Sequence, residues 1–157
     1  MTNTSVRAFD HTVQLSMQWL KDICTELHLD EHDHEKAYVA LRATLLALRN
    51  RLTIEEAADL SAQLPMLLRG LYYESWRPAR VPDKMDRQQF LEAVQKNIGQ
   101  GPNLGDLHKD PLRVVHCVLA VLQRRVSAGE IAHIINSLPE DMRDLWPVQQ
   151  RKQARAA

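Results

Sequence analysis

The sequence predicts an all-α fold, a helical bundle of two tandem four-helix repeats. Apolar residues recur at helical spacing along most of the 157 residues, and no alternating β-branched run reads as a strand. The breakers, five Gly and seven Pro, fall mostly between the periodic segments. One block also recurs. RLTIEEAADLSAQLPMLLRGLYYESW, from Arg51 to Trp76, returns seventy-four positions later as RVSAGEIAHIINSLPEDMRDLWP, from Arg125 to Pro147. Leu52 answers Val126, Thr53 answers Ser127, Glu56 answers Glu130, Leu64-Pro65 answers Leu138-Pro139, Arg69 answers Arg143 and Tyr72 answers Trp146. Self-similarity at a fixed period marks a repeated supersecondary unit. The expected organisation is an arm over 1–8, a first repeat over 9–75, a Pro-containing linker over 76–85, a second repeat over 86–147 and a basic tail over 148–157.

Taken in order, Phe9, Val13, Leu20, Ile23, Cys24 and Leu27 keep helical spacing and predict a first helix from about Ala8 to Leu29. His28 to Glu35, HLDEHDHE, follows as a polar junction. Its imidazoles and carboxylates are metal-ligand types, so His28, His32 and His34 are candidate ligands. The competing reading is a solvated helix junction in which Asp30 or Asp33 caps the next helix. That second helix is expected from about His34 to Arg51. Tyr38, Leu41, Leu45, Leu48 and Leu52 form a seam spaced three, four, three, four. Leu112, Val115, Leu119, Leu122 and Val126 repeat it, so these two helices are expected to be the central pair, facing each other or a second subunit.

Thr53-Ile54-Glu55-Glu56 reads as a capping box, and Ser127-Ala128-Gly129-Glu130 as the same device. Ile54, Ala57, Leu60 and Leu64 form the apolar face that follows, echoed by Ala128, Ile131, Ile134, Ile135 and Leu138. Each Leu-Pro should stop its helix and start a short one, Pro65 to about Tyr72 and Pro139 to about Leu145, with proline in the first turn. Between the repeats lies YESWRPARVPDKMD. Aromatic and arginine side chains together can recognise a phosphate or a carboxylate, which makes Tyr73, Trp76, Arg77 and Arg80 the candidate partner-binding residues. The alternative is that the aromatics pack inward while the basic groups stay solvated. A fifth helix is expected from about Asp86 to Ile98, then a Gly-rich loop over 99–105, then a sixth helix capped at Asp110-Pro111. The loop lacks a preceding strand and a GK[ST], so a turn is expected there rather than a phosphate cradle.

Composition narrows the function classes. Net charge is zero, which disfavours a general nucleic-acid binder. The halves differ: residues 1–75 hold seven basic against eleven acidic groups, and the remainder thirteen against nine. No CxxC or Cys/His zinc spacing exists, no signal peptide opens the chain, and no apolar run could span a bilayer. Cys24 and Cys117 are expected to be free thiols in the cytoplasm. No Ser/His/Asp, Cys/His or nucleotide motif stands out, so the expectation is not an enzyme.

The blocks LTIEEAADLSAQLPMLLRGLYYESWRP and RRVSAGEIAHIINSLPEDMRDLWP resemble a bacterial helical family, domain of unknown function 2267, in tandem repeat form. The resemblance covers about Phe9 to Pro147. It implies a cytoplasmic bacterial protein of helical repeats, and it carries over no catalytic residue. The HLDEHDHE junction departs from the family's pattern. The resulting expectation is a non-catalytic protein-interaction module, monomer or homodimer, with no cofactor. The alternative is a bundle holding a small ligand or a divalent metal, and a third reading is weak nucleic-acid contact through Arg77, Arg80 and the tail.

Overall fold

The computed structural model describes residues 3–101 and 104–147; the tail expected over 148–157 lies outside them. Eight α-helices and two short 3-10 helices make an all-α bundle, with no strand among the described residues. The α-helices are α1 (Arg7–Glu26), α2 (His34–Arg51), α3 (Ile54–Ser61), α4 (Met66–Tyr73), α5 (Arg87–Gly99), α6 (Pro111–Arg125), α7 (Ala128–Ser137) and α8 (Glu140–Arg143). One continuous core runs from Trp19 to Trp146.

Helix α2 lies at the centre. Its buried residues include all of Val39–Leu41 and Ala43–Arg49, so it is enclosed on every side. The leucine seam is buried as its spacing predicts, except that Tyr38 stays 39% exposed. Opposite the leucines, Ala40, Ala43 and Ala47 keep helical spacing and are solvent-free. Small side chains let another backbone approach, and α5 packs there most extensively. Asn97 on α5 donates from Nδ2 to the Ala43 carbonyl at 3.1 Å. The expected central pair, α2 with α6, is therefore corrected. α2 and α6 do touch, but α2 packs chiefly on α5 and α1, and α6 packs on α1 as well.

The end of α1 shows why it stops short of Leu29. His28 takes φ 55. The Leu29 N–H bonds to the Cys24 carbonyl at 2.9 Å, and the His28 N–H to that of Thr25 at 3.2 Å. This is a Schellman ending, which needs a left-handed residue just past the helix. Arg113 of α6 adds a bond from Nη2 to the Leu27 carbonyl at 2.8 Å. Arg125 pairs with Asp22 at 2.9 Å, and Arg124 pairs with Glu26. Part of the opposite charge of the two halves thus meets inside the molecule. At the other end of α1, Asp10 accepts from the Thr4 N–H at 2.8 Å and from its hydroxyl at 2.9 Å. Phe9, expected inward, is 53% exposed, and Ile54 is exposed too because it occupies the first position of α3.

The caps divide as well. Thr53 and Glu56 form the complete box: Thr53 Oγ1 accepts from the Glu56 N–H at 3.2 Å, and Glu56 Oε2 accepts from the Thr53 N–H at 3.0 Å. Asp86 and Gln89 form a second complete box. Ser127 and Glu130 form only half of one, against expectation. Ser127 Oγ accepts from the Glu130 N–H at 3.3 Å, but Gln63 Oε1 has taken the Ser127 N–H at 2.7 Å. Pro65 and Pro139 occupy the N-cap positions of α4 and α8 rather than the first helical position. Thr53→Ala is expected to cost about 1 kcal/mol, read from urea denaturation as a lower midpoint at constant slope.

Displaced from its capping role, Glu130 Oε1 is buried with no hydrogen-bond partner. Desolvation pushes its pKa up from the ordinary 4.5; Asp59 and Glu56 push the same way, and His133 opposes them. The folded chain therefore holds a proton that the unfolded chain releases near pH 4.5. Stability falls as pH rises from that value through the raised one, and the full penalty stands above it. Glu130→Gln is expected to raise the melting temperature at neutral pH. That gain should vanish below about pH 4, where both forms are neutral.

Candidate functional site

Helices α1 and α4 leave a groove between them, which Tyr38 of α2 also lines. Val13 and Met17 line one wall, Leu67 and Leu71 the other, and Glu74 stands at the rim; the volume is about 420 Å³. That is the size of a small-molecule cleft or of a slot for a few side chains. Tyr38 and Leu67, which is 51% exposed, present apolar surface there. Thr12 Oγ1 accepts from the Leu67 N–H at 2.9 Å, tying the start of α4 to α1 and fixing the width at that end.

Gly70 also lines the groove, in the middle of α4. A Cβ there would meet nothing within 4 Å, and its φ is not in the left-handed region. Neither backbone conformation nor close packing within the chain requires glycine, although an interior helical glycine costs about 1 kcal/mol against alanine. What Gly70 does is leave the groove deep.

The predicted aromatic-basic strip is divided by the structure. Tyr73 is half-buried, its ring 5.1 Å from Tyr72 and 5.2 Å from Trp76. Its hydroxyl and Ser61 Oγ lie 2.7 Å apart. Trp76 is half-buried, with Nε1 enclosed and unpartnered. Both rings pack against the core, while Arg77 and Arg80 are exposed around a 3-10 helix, Pro78–Arg80. Tyr72, fully buried, bonds to the Ala57 carbonyl at 3.0 Å, and burial holds its hydroxyl far above the usual phenol range.

Residues 16–145 match the family profile described as Uncharacterized conserved protein (DUF2267). The chain belongs to the DUF2267 family. Comparison with curated proteins finds no match. In this DUF2267 chain the match takes in α1 from Ser16 onward and all of α4, so that Met17, Leu67, Gly70 and Leu71 of the groove fall within it and Val13 does not.

The histidines of the DUF2267 chain do not converge. His28 supplies the left-handed turn after α1, His32 meets Glu31 at 3.4 Å in solvent, and His34 opens α2 with Nε2 buried and unpartnered. Among the described residues no group of three His, Cys, Asp or Glu side chains could hold a metal. His32 and His34 share a polar hollow with Cys24 and Glu31, but His28 lies outside it. Cys24 and Cys117 are free thiols. Burial raises both pKa values, with Asp33 and Asp30 adding to the effect at Cys24, and Glu26 adding at Cys117 against Arg113; the rise works against the thiolate at both. No helix among the described residues is long and apolar enough to cross a membrane.

Sequence reasoning missed Gly70 and the groove. The available signal was a helical glycine beside Leu67 and Leu71 at i−3 and i+1, in a helix whose other face was already assigned to the core.

Proposed function

We propose that this protein is a non-catalytic interaction module that receives an apolar helix of a partner protein between α1 and α4. The observation that carries the reading is Gly70: a helix-weakening residue with no role inside the chain keeps open an apolar groove on the surface. Helix-in-groove recognition uses a few apolar anchors at i, i+3, i+4 and i+7, and the walls supplied by Val13, Met17, Leu67 and Leu71 suit such anchors. The module is built as two four-helix units over 9–75 and 86–147. In support, the packing exchanges between halves: α1 lies on α6 as α5 lies on α2, and α3 meets α7. Two free thiols support a reducing, cytoplasmic setting.

Gly70→Leu tests the reading. The new side chain enters open space, so the melting temperature should hold or rise. A photocrosslinking residue at Leu67, in protein expressed in its own cells, should give a discrete protein adduct that Gly70→Leu abolishes. No adduct, or one that survives Gly70→Leu, rejects the groove as the docking site. The groove's volume also favours a second reading, a small apolar ligand. Native mass spectrometry would then show a retained mass on the 18.0 kDa chain that Gly70→Leu removes.

A further inference from the structure

Arg49 is a buried cation that forms no ion pair among the described residues. It ends the leucine-rich part of α2 and is 5% exposed. Nη1 donates to the Tyr72 carbonyl at 2.7 Å and to the Glu74 carbonyl, and Nε donates to Asn50 Oδ1 at 3.2 Å. Among the described residues no carboxylate forms an ion pair with the guanidinium; Glu74 acts on it only at longer range. Glu74, whose backbone carbonyl accepts from Arg49, turns its carboxylate toward Arg42 Nε at 3.7 Å. Buried charges are ordinarily paired, because removing an ion from water is costly without a partner of opposite sign.

Arg49 forms one wall of a hollow of about 230 Å³, which Asn50, Ser75, Arg77, Arg80 and Asp83 complete. The hollow is shaped by the chain turning sharply after α4. Ser75 takes φ 57, and the Asp83 N–H bonds back to the Asn50 carbonyl at 2.7 Å. Arg77 and Arg80 form no ion pair among the described residues. Three guanidinium groups against the single carboxylate of Asp83 leave the lining with an excess of two positive charges.

We propose that this hollow binds a dianionic phosphoryl group, either free or carried on a small molecule. Arg49 provides the buried, preorganised donor, while Arg77 and Arg80 close over the anion. The charge of a phosphate dianion balances the lining. Guanidinium forks match the oxygen spacing of a phosphoryl group, and the Ser75 hydroxyl and the Asn50 amide supply further polar contact at neutral cost. Arg49 is already held by the α4 carbonyls, so little side-chain entropy is lost on binding. This site is separate from the apolar groove and does not depend on it.

The test is isothermal titration of the full chain with inorganic phosphate and, separately, with glycerol phosphate, at low ionic strength and with sodium chloride as the matched control. Saturable binding at a Kd of about 1 mM or tighter is expected for at least one of them. The double variant Arg77→Gln/Arg80→Gln should weaken it by about tenfold or more. Both arginines are exposed, so the variant should melt with the parent, which separates lost binding from lost fold. Tighter binding of inorganic phosphate identifies the free ion, and tighter binding of glycerol phosphate identifies a phosphorylated small molecule; either supports the site. No saturable heat with either ligand up to about 20 mM overturns it. So does equal affinity in the double variant, or tight oligonucleotide binding without any response to the two small anions.

Discussion

Trp146→Ala is expected to remove about 3–5 kcal/mol of folding stability, the range for truncating a large aromatic in a closed core. Trp146 is 2% exposed and sits beyond α8, flanked by Leu145 and Met142, both as fully buried. Helix α8 is a single turn, Glu140–Arg143, too short to hold itself together. Its position depends on these three side chains and on Arg143, which donates to the Leu138 and Asn136 carbonyls at 3.2 and 3.3 Å. Arg87 of α5 adds a contact to Asp144 and a backbone bond to Asp141 at 3.1 Å. The indole Nε1 has no hydrogen-bond partner, so phenylalanine at this position loses area but no hydrogen bond. Trp146→Phe should therefore cost about 1–2 kcal/mol, well below the alanine change. Urea denaturation of the pair measures the difference. Equal losses for the two variants would mean that the indole's size is not what closes this end of the core.

Arg49→Met is expected to cost about 2–4 kcal/mol. Methionine fills the volume, but the buried Tyr72 carbonyl and the partly buried Glu74 carbonyl lose their shared donor, and a buried acceptor left unpaired costs about 1–3 kcal/mol. Relief of burying an unpaired cation offsets part of this. Burial, aided by Arg42, already lowers the Arg49 pKa against the opposing Tyr72 and Glu74. The local consequence is more specific than the loss of stability. Amide exchange should accelerate over residues 71–76, where α4 ends, before the rest of the bundle responds. A variant as stable as the parent, with exchange unchanged there, would show that water replaces the guanidinium without cost.

Most of the architecture was legible because leucine spacing and Pro positions carry strong local signals. The central burial of α2 was not. Ala37, Ala40, Ala43, Ala47 and Thr44 are as enclosed as the leucines, but alanine and threonine carry little hydrophobic signal, so the face toward α5 reads as neutral. Arg49 reads as a surface residue for the same reason. Its burial follows from two carbonyls more than twenty residues away in the chain. Half of the Ser127 box was lost to Gln63, a neighbour sixty-four positions away, which no local motif announces. Of the strip, Arg77 and Arg80 lie on a recognisable hollow, whereas Tyr73 and Trp76 turned inward because an aromatic ring gains more from burial than from display. The histidines at 28, 32 and 34 share composition but not position, since one ends a helix, one faces solvent and one begins the next helix.

The interleaving of the helices also governs how the molecule can be made. On a ribosome that has released only the first half, α1 lacks α6 and α2 lacks α5, its largest contact. Ala40, Ala43, Ala47 and the leucines around them are then bare for as long as α5 and α6 take to emerge, on the order of seconds at about 5–20 residues per second. The first half then lacks its packing on α5 and α6, and that interval, not the finished bundle, is when this chain exposes the most apolar surface to its neighbours.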